Sequence, residues 1–384
     1  MSLALIDQVR ALSARIGALA PRIEQDRALP DDLLADLTAL GLFRLAAPAR
    51  SGGVETDPLT MFEVYEELAR ADGSVGWSTM IGAATGIVLG YLDDTTAAEL
   101  LADPRLLVAG VAAPSGRATV VPGGHRVRGR WSFASASRHA THLVGGCVVL
   151  DGTGSVVTGP GGAPQVRHVL VPVVDVTIHD NWDVVGLAGT GSHDFEAVEV
   201  FVPEAYSFSI FGPARQDRPL YRFPLFGLLA FGVGAVALGI ARAALDEFAR
   251  LTAEKRDPLT GQPIAGKTAI QATLAEAEAV LGGGRAYLVG EIAECWRLVS
   301  AGEPVSVGRR ARLRLAAGYA ASSAARAVDL AYHASGGASV RMASPLQRCF
   351  RDVHVATQHA LVGPDVRELA GAVLLDQPAI TVRL

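Results

Sequence analysis

Along the first hundred or so residues, apolar side chains recur three or four positions apart. Leu33, Leu34, Leu37 and Leu40 follow Pro30 and Asp31 and precede Gly41, which predicts the start, buried face and stop of an amphipathic helix. Met61, Tyr65 and Leu68 repeat the spacing. From about residue 106 the period shortens. RATVVPGGHRVRGRWSF, THLVGGCVVLDG, VRHVLVPVVDVTI and DFEAVEVFVPE are Val-rich runs broken by Gly and Pro, which predicts strands joined by tight turns. Beyond about 216, long Ala- and Leu-rich segments such as LGIARAALDEFARLTAEKR and GRRARLRLAAGYAASSAARAVDLAYHA predict a helical bundle. The expected class is α+β, mainly α. Its parts are an N-terminal helical domain over 1–105, a β-domain over 106–215 and a C-terminal helical bundle over 216–384.

One stretch tests this division. FPLFGLLAFGVGAVALGIA, Phe223 to Ala241, is uncharged over a length near that of a membrane span. Pro224 at its start and its isolation favour a central buried helix, closely packed through Gly232, Gly234 and Gly239. These glycines imitate a dinucleotide-binding turn, but no strand precedes them. The net charge of −5 carries no block of like charges, so neither nucleic acid nor a membrane surface is an expected partner. Lys255 and Lys267 are the only lysines, which disfavours Schiff-base chemistry. Three scattered cysteines indicate no disulfide framework, and Asp7, Arg10 and Arg15 interrupt the N-terminal apolar run, so a cytoplasmic setting is expected.

Candidate chemistry begins at GRWSFASASRHATHLVGG, residues 129–146. Period-two alternation would send Trp131, Phe133, Ser135 and Ser137 to one strand face, a flat aromatic surface beside short hydroxyls that suits a flat polar ring. An ordinary amphipathic strand would show the same pattern. Gly189-Thr190-Gly191-Ser192 lies between β-runs and offers amides and hydroxyls, or a plain turn. His139 and His142 lack a third residue at metal-ligand spacing, so no metal is expected. In SPLQRCFRDVHVATQHALVGPD, Leu346, Cys349, Phe350, Val353 and Thr357 form a helical stripe with His354 beside it and His359 off it. Continued helix would separate the two rings by roughly 140°. His359 therefore lacks a packing reason, and an imidazole titrating near neutrality suits proton transfer.

Several segments, in order, resemble the acyl-CoA dehydrogenase fold and, within it, the oxygenase components of two-component flavin-dependent monooxygenases. They are ALGLFRLAAPARSGGVETDPLTMFEVYEELARADGSVGW, GGHRVRGRWSFASAS, GLAGTGSHDFEAVEVFVPE and HASGGASVRMASPLQRCFRDVHVATQH. The resemblance implies a helical domain, a β-barrel-like domain and a four-helix bundle in a homotetramer, with flavin between the second and third parts. It implies that Trp131, Phe133 and Ser135 border the isoalloxazine, Ser135 near N5, with Thr190, Gly191 and Ser192 as a second loop against it. Arg256 would reach a flavin phosphate, Gly336 and Gly337 would lie near the dinucleotide part, and His359 would stand by the reactive edge. Ala136 and His333 depart from the commoner Gly and Gln.

A dehydrogenase of this fold needs a carboxylate base, yet VHVATQHALVG after Arg351-Asp352 has none and neither do residues 219–245. An oxygenase instead needs a dry pocket where reduced flavin, FMNH2 or FADH2, captures O2 as a C4a-hydroperoxide. The resemblance thus implies hydroxylation of a small aromatic or polyketide-like metabolite, Ser135 and His359 as catalytic residues, and a separate NAD(P)H:flavin reductase as partner. An acyl-CoA dehydrogenase or oxidase with a relocated base, and a non-catalytic scaffold, remain as alternatives.

Overall fold

The computed structural model describes residues 2–384. Its first part comprises α1 (Ser2–Asp26), α2 (Asp31–Ala39), α3 (Pro58–Ala71), α4 (Gly73–Thr85) and α5 (Asp94–Leu101). Local chemistry sets these boundaries. Asp57 accepts from Thr60 N at 3.0 Å and Pro58 opens α3, Asp72 accepts from Ser74 N and Val75 N to begin α4, and Asp93 accepts from Thr96 N at 2.9 Å to begin α5. Gly41, with φ of 71°, reverses the chain after α2. Leu33, Leu37, Met61, Tyr65 and Leu68 are fully buried, the face their spacing predicts.

Seven strands follow: β1 (Val108–Val121), β2 (Gly124–Trp131), β3 (His142–Leu150), β4 (Val166–Pro172), β5 (Thr177–His179), β6 (Asp194–Pro203) and β7 (Ser207–Phe208). They form one mixed sheet in the order β5-β6-β2-β1-β3-β4-β7, parallel only between β1 and β3. The last part holds α6 (Pro219–Arg222), α7 (Leu225–Glu254), α8 (Thr268–Ser300), α9 (Val307–Ser335), α10 (Pro345–Ala356) and α11 (Asp365–Leu374).

The apolar stretch is α7, and most of it is packed inside the protein. Its glycines face neighbours. A Cβ on Gly232 would meet Met80 Sδ at 3.0 Å, one on Gly234 would meet Leu288 Cδ2 at 2.8 Å, and one on Gly239 would meet Ala69 Cβ at 2.8 Å and the backbone carbonyl of Glu66. Absent side chains let α7 lie against α3, α4 and α8 at once.

Candidate functional site

The strand ends sooner than the alternation predicts. β2 stops at Trp131, because Phe133 and Ala136 take left-handed backbone conformations, φ 67° and 59°. Trp131 is 0% exposed, stacks on Phe195 at 4.7 Å, and donates from its indole N–H to Gly146 O at 2.8 Å. Its ring fills a slot left by Gly116, Gly129 and Gly145, where any Cβ would collide with it. The expectation that Trp131 borders a bound ring is therefore corrected: this indole belongs to the buried core under the sheet. The expectation of one shared face fails with it, for Phe133 is 72% exposed, edge-on to Trp182 at 6.0 Å, while Ser135 is 6% exposed.

What the structure brings together is Ser135 with Thr190 and Ser192. Ala134 N donates to His193 O at 3.1 Å, Ala136 N to Thr190 O at 2.9 Å, and Ser137 Oγ to Gly191 O at 3.2 Å, so the segments 133–137 and 187–193 are laced together. Ser135 Oγ lies 2.7 Å from Ser192 Oγ, which lies 2.7 Å from Thr190 Oγ1, and Thr190 donates to Leu187 O at 2.8 Å. From the other side the buried Trp77 of α4 donates its indole N–H to Ser135 Oγ at 2.9 Å. Nothing in the sequence pattern singles out Trp77. It is one of four tryptophans, four residues into a helix whose cap, Asp72, is legible.

The 186–192 segment is clamped on three sides. A Cβ on Gly186 would run into the Arg351 backbone, one on Gly189 into Ile23 of α1 and Ser74 of α4, and one on Gly191, at φ +49°, would sit 2.7 Å from Arg27 O. Only glycine permits these approaches. Asp352 on α10 accepts from Leu187 N at 2.6 Å. Burial, with Asp72 nearby, pushes the Asp352 carboxyl up to about 7, and burial also raises Asp72 despite Arg348 at 3.8 Å. Both carboxylates thus serve as backbone anchors.

His359 lies past the end of α10, which stops at Ala356, so the helical projection separating it from His354 does not apply. The two rings part for another reason. His354 Nε2 pairs with Asp329 at 2.9 Å, whereas His359 packs edge-on against Trp77 at 5.6 Å. Leu361 N donates to His359 Nδ1 at 3.2 Å, leaving Nε2 as the proton-bearing nitrogen of the neutral ring. Burial, then Arg314, pushes the imidazole down to about 4. This corrects the expectation of titration near neutrality: the ring is an uncharged donor at physiological pH. Among the described residues, no group of three His, Cys, Asp or Glu could hold a metal ion.

Other candidates lie elsewhere. Arg256 is exposed between α7 and α8, donating to Gly261 O at 3.4 Å, while Lys255 Nζ reaches Ser335 O at 3.1 Å beside the Gly336 turn. Gly336, at φ +60°, ends α9, and a Cβ on Gly337 would meet open space. His139 Nε2 accepts from Leu29 N at 3.0 Å, a structural use.

Fold and site together define a helix–sheet–helix enzyme scaffold in which buried loop hydroxyls of the sheet and a neutral imidazole meet at Trp77 of α4. The acyl-CoA dehydrogenase N-terminal domain model matches residues 2–101 and the acyl-CoA dehydrogenase C-terminal domain model residues 231–364. An indole-3-acetate monooxygenase of Pseudomonas putida is 35% identical over 96% of this chain and 92% of its own. The flavin-dependent monooxygenase oxygenase subunit HsaA of Rhodococcus jostii is 29% identical over 94% and 95%. The crystal structure of the HsaA monooxygenase from M. tuberculosis superimposes with a TM-score of 0.91 at 26% identity, covering all of both chains. The chain belongs to the acyl-CoA dehydrogenase-fold family, as an oxygenase component of the flavin-dependent monooxygenases.

Proposed function

We propose that this chain takes FMNH2 or FADH2 from a separate NAD(P)H:flavin reductase and, with O2, hydroxylates a small aromatic metabolite, an indole ring being the first class to test. The observation that carries this reading is the meeting, at one place, of the Ser135 hydroxyl cluster and the uncharged His359 with Trp77 between them. The donor set suits a flavin edge: hydroxyls and peptide groups for its polar rim, and the exposed Phe133 ring as an apolar neighbour. Thr190, Gly191 and Ser192 would hold the same edge, with Gly336 and Gly337 toward the dinucleotide part. Arg256 would serve a phosphate carried in from another copy of a homotetramer working in the cytoplasm.

When bound, the reduced flavin supplies two electrons to O2, so that one oxygen atom enters the substrate and the other leaves as water. The protein's part is positional. Ser135 orients the flavin edge, His359 Nε2–H donates to a polar group on the substrate or its oxidant, and Trp77 closes the space between them against water. Proton abstraction by a carboxylate, as a dehydrogenase requires, has no support, because Asp352 and Asp72 are bound to backbone amides.

Chemically reduced FMN or FAD, mixed with O2, the protein and indole-3-acetate, indole or simple phenols, should give a product with one added oxygen by mass. Quantitative release of hydrogen peroxide with every aromatic tried would overturn this function.

A further inference from the structure

The hydrogen bonds around Ser135 have a direction. Leu187 O can only accept, so the Thr190 hydroxyl proton is committed to it at 2.8 Å. Thr190 Oγ1 then accepts from Ser192, and Ser192 Oγ accepts from Ser135, each at 2.7 Å. At the other end an indole N–H can only donate, so Trp77 uses one lone pair of Ser135. The chain runs one way, from Trp77 through Ser135, Ser192 and Thr190 to Leu187. Its terminal acceptor is held by the Leu187 N–H bond to Asp352, by the clamped glycines on either side, and by a second donor, Trp182 Nε1, at 3.3 Å. Ser135 consequently turns its proton inward and keeps one free lone pair.

We propose that this one-way chain makes Ser135 a hydrogen-bond acceptor toward the flavin, with Trp77, Ser192 and Thr190 as positioning residues that select the reduced cofactor over the oxidised one. The inference rests on the reading above that Ser135 faces N5. Reduced flavin carries a proton on N5 and donates there; oxidised flavin has only a lone pair and needs a donor. To donate to oxidised flavin, Ser135 must withdraw its proton from Ser192, or the whole chain must reverse and strip the Thr190 bond from Leu187 O; either way one hydrogen bond inside the chain is lost. One hydrogen bond therefore separates the two settings, worth roughly fivefold in relative affinity. Thr190 acts as the lock: its hydroxyl proton is spent on Leu187 O and not on the flavin, yet it decides which way Ser135 points.

The test is anaerobic titration of the whole protein with oxidised and with photoreduced FAD and FMN, together with the midpoint potential of the bound flavin. The parent should bind the reduced form more tightly. Thr190→Val and Ser192→Ala each free the Ser135 proton to turn outward, so the ratio of oxidised to reduced dissociation constants should fall by about fivefold. At about 30 mV per tenfold for a two-electron couple, the bound potential should drop by about 20 mV. Thr190→Ser keeps the terminal donor and should restore the parent ratio. Variants that bind flavin with an unchanged ratio, or Thr190→Ser behaving like Thr190→Val, would overturn the one-way chain. A parent that binds neither flavin would overturn the flavin seat itself, and the chain's role with it.

Discussion

At the scale of single residues, burial decides charge. His359 is held near 4 by desolvation and by Arg314, below its ordinary 6.5. Its neutral form, and the Nε2–H donor with it, is therefore complete above about pH 5 and is lost only as pH falls through about 4. The pH profile of kcat/KM should show no His359 inflection near 6.5; an inflection there that His359→Gln removes would contradict the assignment. His359→Ala should lower the yield of oxygenated product per flavin oxidised by about tenfold, the worth of one hydrogen bond to a developing charge, measured as product against peroxide. Asp352 moves the opposite way. Its folded carboxyl titrates near 7 against 3.8 unfolded, so the folded state holds the proton more tightly. The associated stability is full below about pH 3.8 and declines as pH rises toward 7. Between pH 5 and pH 8 the parent should lose about 2 kcal/mol more than Asp352→Asn in urea unfolding. Parallel losses would show that the carboxyl is not buried as described.

Between elements, close approach replaces side-chain volume. Gly239 lets α7 touch the α3 backbone, where a methyl would meet Ala69 Cβ at 2.8 Å. Gly239→Ala gains about 1 kcal/mol of helix propensity and loses more to overpacking, with a net destabilisation of about 2 kcal/mol expected in thermal unfolding. Gly290 on α8 faces open space, so Gly290→Ala should stabilise by about 0.5–1 kcal/mol. Equal effects at the two positions would contradict this packing. The helices themselves were legible, since Asp57, Asp72 and Asp93 carry cap chemistry in the sequence and the apolar spacing of Met61, Tyr65 and Leu68 matches one buried face. The end of β2 was not: left-handed φ at Phe133 and Ala136 is imposed by lacing to the 187–193 segment, which alternation cannot register.

For the molecule as a whole, the three-part order places the hydroxyl loops of the sheet against α1, α4 and α10, so each helical region contributes a wall. The chain's one Gly-rich imitation of a dinucleotide turn, Gly232-Val-Gly234, is the interior of α7. Mixed with NADH and FAD alone, the protein should therefore leave the flavin oxidised; an added reductase, even across a dialysis membrane, should start product formation. Reduction of flavin by NADH without a reductase, followed spectrally, would refute the two-component arrangement.

By itself the sequence determined the sequence of helical, β and helical parts, the buried glycine-bearing helix, and Ser135, Thr190, Ser192 and His359 as candidates, because periodicity, caps and motifs are local properties. Only the tertiary structure decided that Trp131 is core, that Trp77 joins the cluster, that Asp352 anchors the loop, and that His359 is uncharged. Each of those outcomes depends on which distant segments exclude water from a group and which donors they aim at it, and no stretch of chain carries that information alone.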